Sequence, residues 1–289
     1  MPEIDVGMIP KWLPRFFGLL SFIFNPLLIY LVMTQNKCKI GPYRQFLVCF
    51  ALFDMTYSAV DVFVGMASHH YESSFSVFVS HGPLVDNPAA GKIGLTVRCA
   101  FVCLSYGILE IHFIYRYISL CRPKLLHWFT QPLYIVGWFI FWLSFGIYWA
   151  FAMSLAYLDE EDIEFLRDSF LDTYNVNIDD IGIIGIRYKA TNPRTILRTS
   201  AGMLMGNIIS VAVITSYCVM GNKINKLLKE STISTAAKRV HRQLFLALVA
   251  QTVIPFVVSF LPCCVPVYGP QGHKFDPRPD PTKGFKKFW

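Results

Sequence analysis

Residues 133–155 read LYIVGWFIFWLSFGIYWAFAMSL, a run of 23 positions with no charged side chain. A helix needs about 20 apolar residues to cross the roughly 30 Å of hydrocarbon in a bilayer. The Tyr and Trp residues within the run are of the kind that anchor at headgroups. Runs of similar character cover residues 12–34, 46–67, 93–114, 199–220 and 244–267, although several hold one or two ionisable or helix-bending residues. Across all 289 residues 54% are hydrophobic and 16% charged, a balance for which water is a poor solvent. The expected fold is all-α: a polytopic membrane helix bundle with six detectable spans in residues 1–267, then a polar, non-spanning tail over residues 268–289. The first run is not a cleaved signal peptide, because Glu3 and Asp5 replace the usual basic start and no small-residue cleavage site follows it.

Lys and Arg are retained on the cytoplasmic side of short connections, and that sets the orientation. The first, third and fifth connections carry Lys37, Lys39 and Arg44, then Arg116, Arg122 and Lys124, then Lys223, Lys226, Lys229, Lys238, Arg239 and Arg242. The second and fourth hold Glu72 and Asp86 and the acidic stretch DEEDIEF. The amino terminus is therefore expected outside. No cysteine lies in the outer connections, which excludes a disulfide from the top of the third helix to an outer loop. No N-glycosylation site occurs, since Asn25, Asn87 and Asn192 are each followed by Pro.

Ionisable groups inside the spans cost several kcal/mol unless paired or hydrated. Asp54 and Asp61 are seven positions apart, so they share a face of the second span, near mid-membrane and in the outer third respectively. Arg98 lies at a depth like that of Asp61, and the expectation is a salt bridge between them, either purely structural or also lining a ligand cavity. Asp54 either holds water or an ion or is a protonated, hydrogen-bonded acid. His69, His70, Glu72 and His81 match no zinc spacing and read as loop residues, and DEEDIEF as a solvated loop. No metal or other cofactor and no nucleic-acid partner is expected. Arg116, flanked by Tyr115 and Tyr117, suits the cytoplasmic mouth of the third span, where its guanidinium reaches headgroups or water. By composition alone this is an interfacial anchor.

Three stretches carry a family likeness: GPYRQFLVCFALFDMTYSAVDVF at residues 41–63, HFIYRY at 112–117 and QLFLALVAQTVIPFVVSFLP at 243–262, with its pair Gln251 and Pro255. Together they resemble the nematode seven-transmembrane chemoreceptors of the Str (serpentine receptor class r) type, over roughly residues 12–266. The resemblance implies a G-protein-coupled chemosensory receptor that detects a small chemical ligand at the plasma membrane, in a sensory cilium, and signals to a heterotrimeric G protein. It is not an enzyme on this reading. In it Arg116 takes the place of the arginine that engages the G protein, with Tyr115 and Tyr117 beside it. Because Tyr115 stands where an acid would form a resting lock, that lock is unavailable. Glu110 lies about 120° away on the helix and is a poor substitute.

Pro255 and Pro262 either hinge the sixth span or only shape its packing. Lys238, Arg239 and Arg242 belong to a cationic inner rim that would attract anionic lipid and could also face the G protein. Gln251, with Asp54, Asp61 and Arg98, completes the intramembrane polar set. A small-solute transporter is the alternative class, but no internal repeat supports it. Past residue 266 the likeness stops, and the tail places a cationic end outside, against the charge rule. The chain is thus expected to lack the seventh helix of its relatives, and a truncated, non-signalling receptor-like protein is the second alternative.

Overall fold

The computed structural model describes residues 4–34, 43–190, 192–230, 242–243 and 245–251. Its long helices are α1 (Met8–Thr34), α2 (Tyr43–Phe63), α3 (Pro88–Cys121), α4 (Pro132–Ser154) and α6 (Pro193–Glu230), with a shorter α5 (Glu160–Tyr174). Five of them are long and apolar enough to cross a membrane, so a polytopic helical bundle is the architecture. Residues 245–251 add the helical start of the expected sixth span; the rest of that span, Lys238, Arg239, Pro255, Pro262 and the tail lie outside the described residues.

The helix boundaries follow local chemistry. Asn87 caps α3, its side chain accepting from the Ala90 N–H, and Pro88 occupies the first turn, where its missing donor costs nothing. Pro123 follows the other end of α3 and opens a 3₁₀ turn, Pro123–Phe129, which carries the chain round to α4. In the span windows, 56% of α3 is buried against 11–17% of the other helices, so α3 is the post around which α2, α4 and α6 pack. The other spans turn large apolar side chains outward, as a bilayer solvent allows; Phe139, Ile140 and Leu204 are among them.

The outer connections are not loops. The helix expected to reach residue 67 stops at Phe63, and the chain enters a hairpin of β1 (Gly65–Tyr71) and β2 (Ser74–His81), joined by antiparallel β3 (Ile183–Arg187) in the order β1-β2-β3. SFSVFVSH, which is β2, is rich in aromatic and β-branched residues, the composition of a strand. Its Phe78 pairs with Ile183 and its Val77 with Ile184. The acidic DEEDIEF stretch is not a solvated loop either: Asp159 caps α5, and Leu166 and Phe170 on that helix pack with Phe78, Ile178 and Ile4 into an apolar core outside the bundle. The amino-terminal segment is tied in by the Ile4 N–H, which donates to the Ser80 carbonyl at 2.9 Å.

The opposite face of this sheet sits on the bundle. Val79 and Ile184 pack with Leu95 at the head of α3, and the Val79 N–H donates to the Gly182 carbonyl at 2.9 Å. Gly182 crosses Gly91 so closely that a Cβ on Gly182 would stand 2.6 Å from the Gly91 Cα. This backbone contact fastens the outer module to α3 where no disulfide is available. Gly182→Ala should therefore destabilise the protein by about 1–3 kcal/mol through overpacking. Gly137→Ala, in an open position on α4, should be neutral or slightly stabilising. Thermal unfolding in lipid nanodiscs measures both.

Candidate functional site

At the carboxyl-terminal end of α3, the end expected inside, His112, Tyr115 and Arg116 are all buried, with Arg116 only 5% exposed. This differs from an interfacial anchor reaching headgroups. The guanidinium lies over the Tyr43 ring, 3.6 Å from its centroid, because α2 enters the bundle beside it with Tyr43, Phe46 and Phe50 on the facing side. Such a contact is worth about 2 kcal/mol when desolvated. Tyr43 also stacks on Tyr115 at 5.3 Å, and Tyr115 meets Phe129 edge-on at 5.2 Å; Phe129 in turn stacks on Trp138 of α4 at 4.8 Å. One aromatic cluster thus joins α2, α3, the 3₁₀ turn and α4 around the arginine.

Arg116 Nε and Nη2 are buried and make no hydrogen bond among the described residues. Among the described residues no carboxylate pairs with Arg116. Glu110 is turned elsewhere and accepts from the Ser216 hydroxyl of α6. Tyr117 is half-buried, with the Lys223 ammonium 5.5 Å from its ring centroid, so α6 carries its basic inner end past α3. Arg242 is exposed at the start of the last helical stretch and Gln251 is exposed at its end.

The polar residues of α2 fall into two separate clusters. Arg98 Nε donates to Asp61 Oδ1 at 2.6 Å, joining α3 to α2. Lower down, Asp54 Oδ2 accepts from Asn25 Nδ2 at 2.6 Å and from the Ser21 hydroxyl at 3.1 Å, which ties α1 to α2. Asn25 carries no signal in the sequence except its position before Pro26 in an apolar run, so its partnership with Asp54 is a tertiary fact.

A cavity of about 370 Å³ lies between α3, α4, α6 and residues 245–249. Its walls are mostly apolar and include Cys103, Tyr106, Trp149, Val213, Tyr217 and Phe245. Asp54, Asp61 and Arg98 do not line it. The Tyr217 hydroxyl donates to the Tyr106 carbonyl at 2.9 Å, so the α3 and α6 walls are bonded to each other.

In the outer module, His69 and His81 belong to strands, not loops: His69 Nε2 is 3.0 Å from the Ser169 hydroxyl and His81 Nδ1 is 3.0 Å from the Ser80 hydroxyl. Burial, with the neighbouring His70 as a second cause, lowers the His69 pKa to about 4. Asp159 accepts from Thr195 at the head of α6 and lies 3.6 Å from Arg198. Despite opposing desolvation, these partners and the Asp162 N–H hold its carboxyl below the usual range. Burial first, and Asp159 second, push the neighbouring Asp162 up to about 6; its nearest cation is Arg187 at 3.9 Å.

The two shifts act in opposite directions. A carboxyl raised on folding adds stability as pH falls from about 6 towards 4, whereas a depressed histidine removes stability over about 6.5 to 4. Asp162→Asn should therefore raise stability near pH 7 by on the order of 1 kcal/mol and leave a variant that only weakens on acidification. Melting curves at about pH 7 and about pH 5 test the sign. For the Asp61–Arg98 pair, each single charge reversal should lower surface level, and the double exchange should restore it, as counted by surface labelling.

Residues 4–274 match the family described as serpentine type 7TM GPCR chemoreceptor Srj. Serpentine receptor class J-38 of Caenorhabditis elegans is 32% identical over 281 residues, which take in 91% of this chain and 82% of that protein. G-protein coupled receptor str-33 of Caenorhabditis elegans is 25% identical over 282 residues, covering 92% and 80% of the two chains. Serpentine receptor class r-10 of Caenorhabditis elegans is 26% identical over 259 residues, covering 87% and 75%.

Proposed function

The chain belongs to the Srj family of serpentine seven-transmembrane G-protein-coupled chemoreceptors, and from that premise we propose that it detects a small apolar molecule in the cavity between α3, α4 and α6 and signals to a heterotrimeric G protein through Arg116. The observation that carries the proposal is the position of Arg116: a cation at the inner end of the most buried helix, without a carboxylate partner among the described residues. A permanent structural role would be better served by an ion pair, since an unpaired buried charge is expensive. Tyr115 and Tyr117 frame the arginine, and Lys238, Arg239 and Arg242 form a basic rim for the G protein or for anionic lipid. Pro255 and Pro262 supply the hinge in the sixth span.

The ligand class follows from the cavity. Its size suits a small molecule, and its mostly apolar walls suit a hydrophobic one, with Ser210, Asn222 and Asn225 among the few polar groups that line it. The outer sheet rests on α1, α2, α3 and α6, so the bilayer, in which apolar solutes concentrate, supplies a route past it. The receptor would act at the plasma membrane and, as a chemosensory protein, in a sensory cilium. Cells expressing the full chain, exposed to a panel of volatile apolar and water-soluble compounds, should give G-protein signals to apolar members. Val213→Phe, which adds bulk to the cavity wall, should weaken that response about tenfold or more at equal surface level. A response confined to charged, water-soluble compounds, or one indifferent to Val213→Phe, would place the ligand elsewhere.

A further inference from the structure

Among the described residues one ring lies over the Arg116 guanidinium. Tyr43, at the first position of α2, is itself only 4% exposed and presents its face to the guanidinium at 3.6 Å. The π face offsets part of the cost of burying the cation but accepts no hydrogen bond in the plane of the fork, and Nε and Nη2 have no acceptor among the described residues. The arginine is therefore stable enough to remain inside and unsatisfied enough to leave for better acceptors. A partner that offered carbonyl or carboxylate oxygens at the inner mouth would provide them. Acidic and aromatic neighbours are committed elsewhere: Glu110 is bonded to Ser216, the Tyr115 ring is packed among Tyr43, Phe46 and Phe129, and the Tyr117 ring faces Lys223.

We propose that Tyr43 is the resting latch of this receptor, holding Arg116 inward by a cation–π contact in place of an acidic lock, and that activation frees the arginine from the ring. The latch rests on the reading of Arg116 as the coupling residue. Tyr43 is a positioning residue: it acts through Arg116 and has no need to touch the ligand. Its place at the start of α2 suits that role, because a small shift of α2 against α3 would slide the ring off the guanidinium while the Arg98–Asp61 pair keeps the other ends of the helices together.

The test uses the full chain in cell membranes, with no ligand, and reads guanine-nucleotide exchange on an added heterotrimeric G protein at matched surface level. Tyr43→Leu, which removes the π face but keeps an apolar side chain, should raise ligand-free exchange about tenfold. Tyr43→Phe, which keeps the face and loses only the hydroxyl, should stay near the parent. Combining Tyr43→Leu with Arg116→Ala should return exchange to the level of Arg116→Ala alone. If Tyr43→Leu does not reach the surface, Tyr43→Met carries the same expectation. Exchange that is unchanged or lower in the leucine or methionine variant overturns the latch. If Arg116→Ala at the same time lowers exchange, the coupling role of Arg116 survives that failure; if the high exchange of Tyr43→Leu persists in the double variant, the coupling role itself is wrong.

Discussion

Burial of α3 is the constraint on which the rest of the molecule depends. The other spans face a solvent as apolar as their own side chains, so the hydrophobic effect orders them little once they are inserted; close packing and polar ties between helices decide the arrangement. α3 collects those ties. It pairs with α2 through Arg98 and Asp61, with α6 through Glu110–Ser216 and Tyr106–Tyr217, and with α4 through the Trp142 indole, which donates to the Leu104 carbonyl at 3.0 Å. Where α4 passes closest, Gly107 leaves room for the rings of Phe145 and Trp142, and Gly146 leaves room for Leu104.

The two ends of α3 solve different problems. At the amino-terminal end, the one expected outside, a sheet and an acidic helix form a second apolar core beyond the bundle, and the Gly91–Gly182 crossing joins it to the helix below. Because α5 is bonded to the head of α6 through Asp159, Thr195 and Arg198, the same module also fixes the spacing of α3 and α6, which wall the cavity. At the inner end a cation sits among aromatic rings with part of its hydrogen-bonding capacity unused. A rigid outer end and an under-satisfied inner end are the arrangement expected of a protein that converts an event in its bundle into a change at one face.

Much of this was legible in the sequence. The long apolar runs marked the five helices that are long and apolar enough to cross a membrane, because little else in a protein requires about 20 consecutive apolar residues. The depth of Asp61 and Arg98 put them within reach of each other because helical rise is regular. The outer sheet was missed: a hydropathy window tuned to membrane helices averages out the short aromatic and β-branched run in SFSVFVSH, and β3 lies about 100 residues further along the chain from its partner strand. DEEDIEF looked like a loop because its charge hides the apolar side of α5, where Leu166 and Phe170 follow the run. Arg116 was placed at the right helix end but in the wrong surroundings, since its neighbour Tyr43 belongs to another helix and no spacing rule links them. The partnership of Asn25 with Asp54 was invisible for the same reason.

If Arg116 is sequestered at rest, its chemical reactivity must differ from that of the exposed arginines. In ligand-free membranes opened to their cytoplasmic face, the arginine reagent phenylglyoxal should modify the exposed Arg122 and Arg242 while leaving Arg116 intact, as read by peptide mass mapping. Modification of Arg116 at the rate of Arg122 would contradict the buried, ring-held arginine on which the account rests.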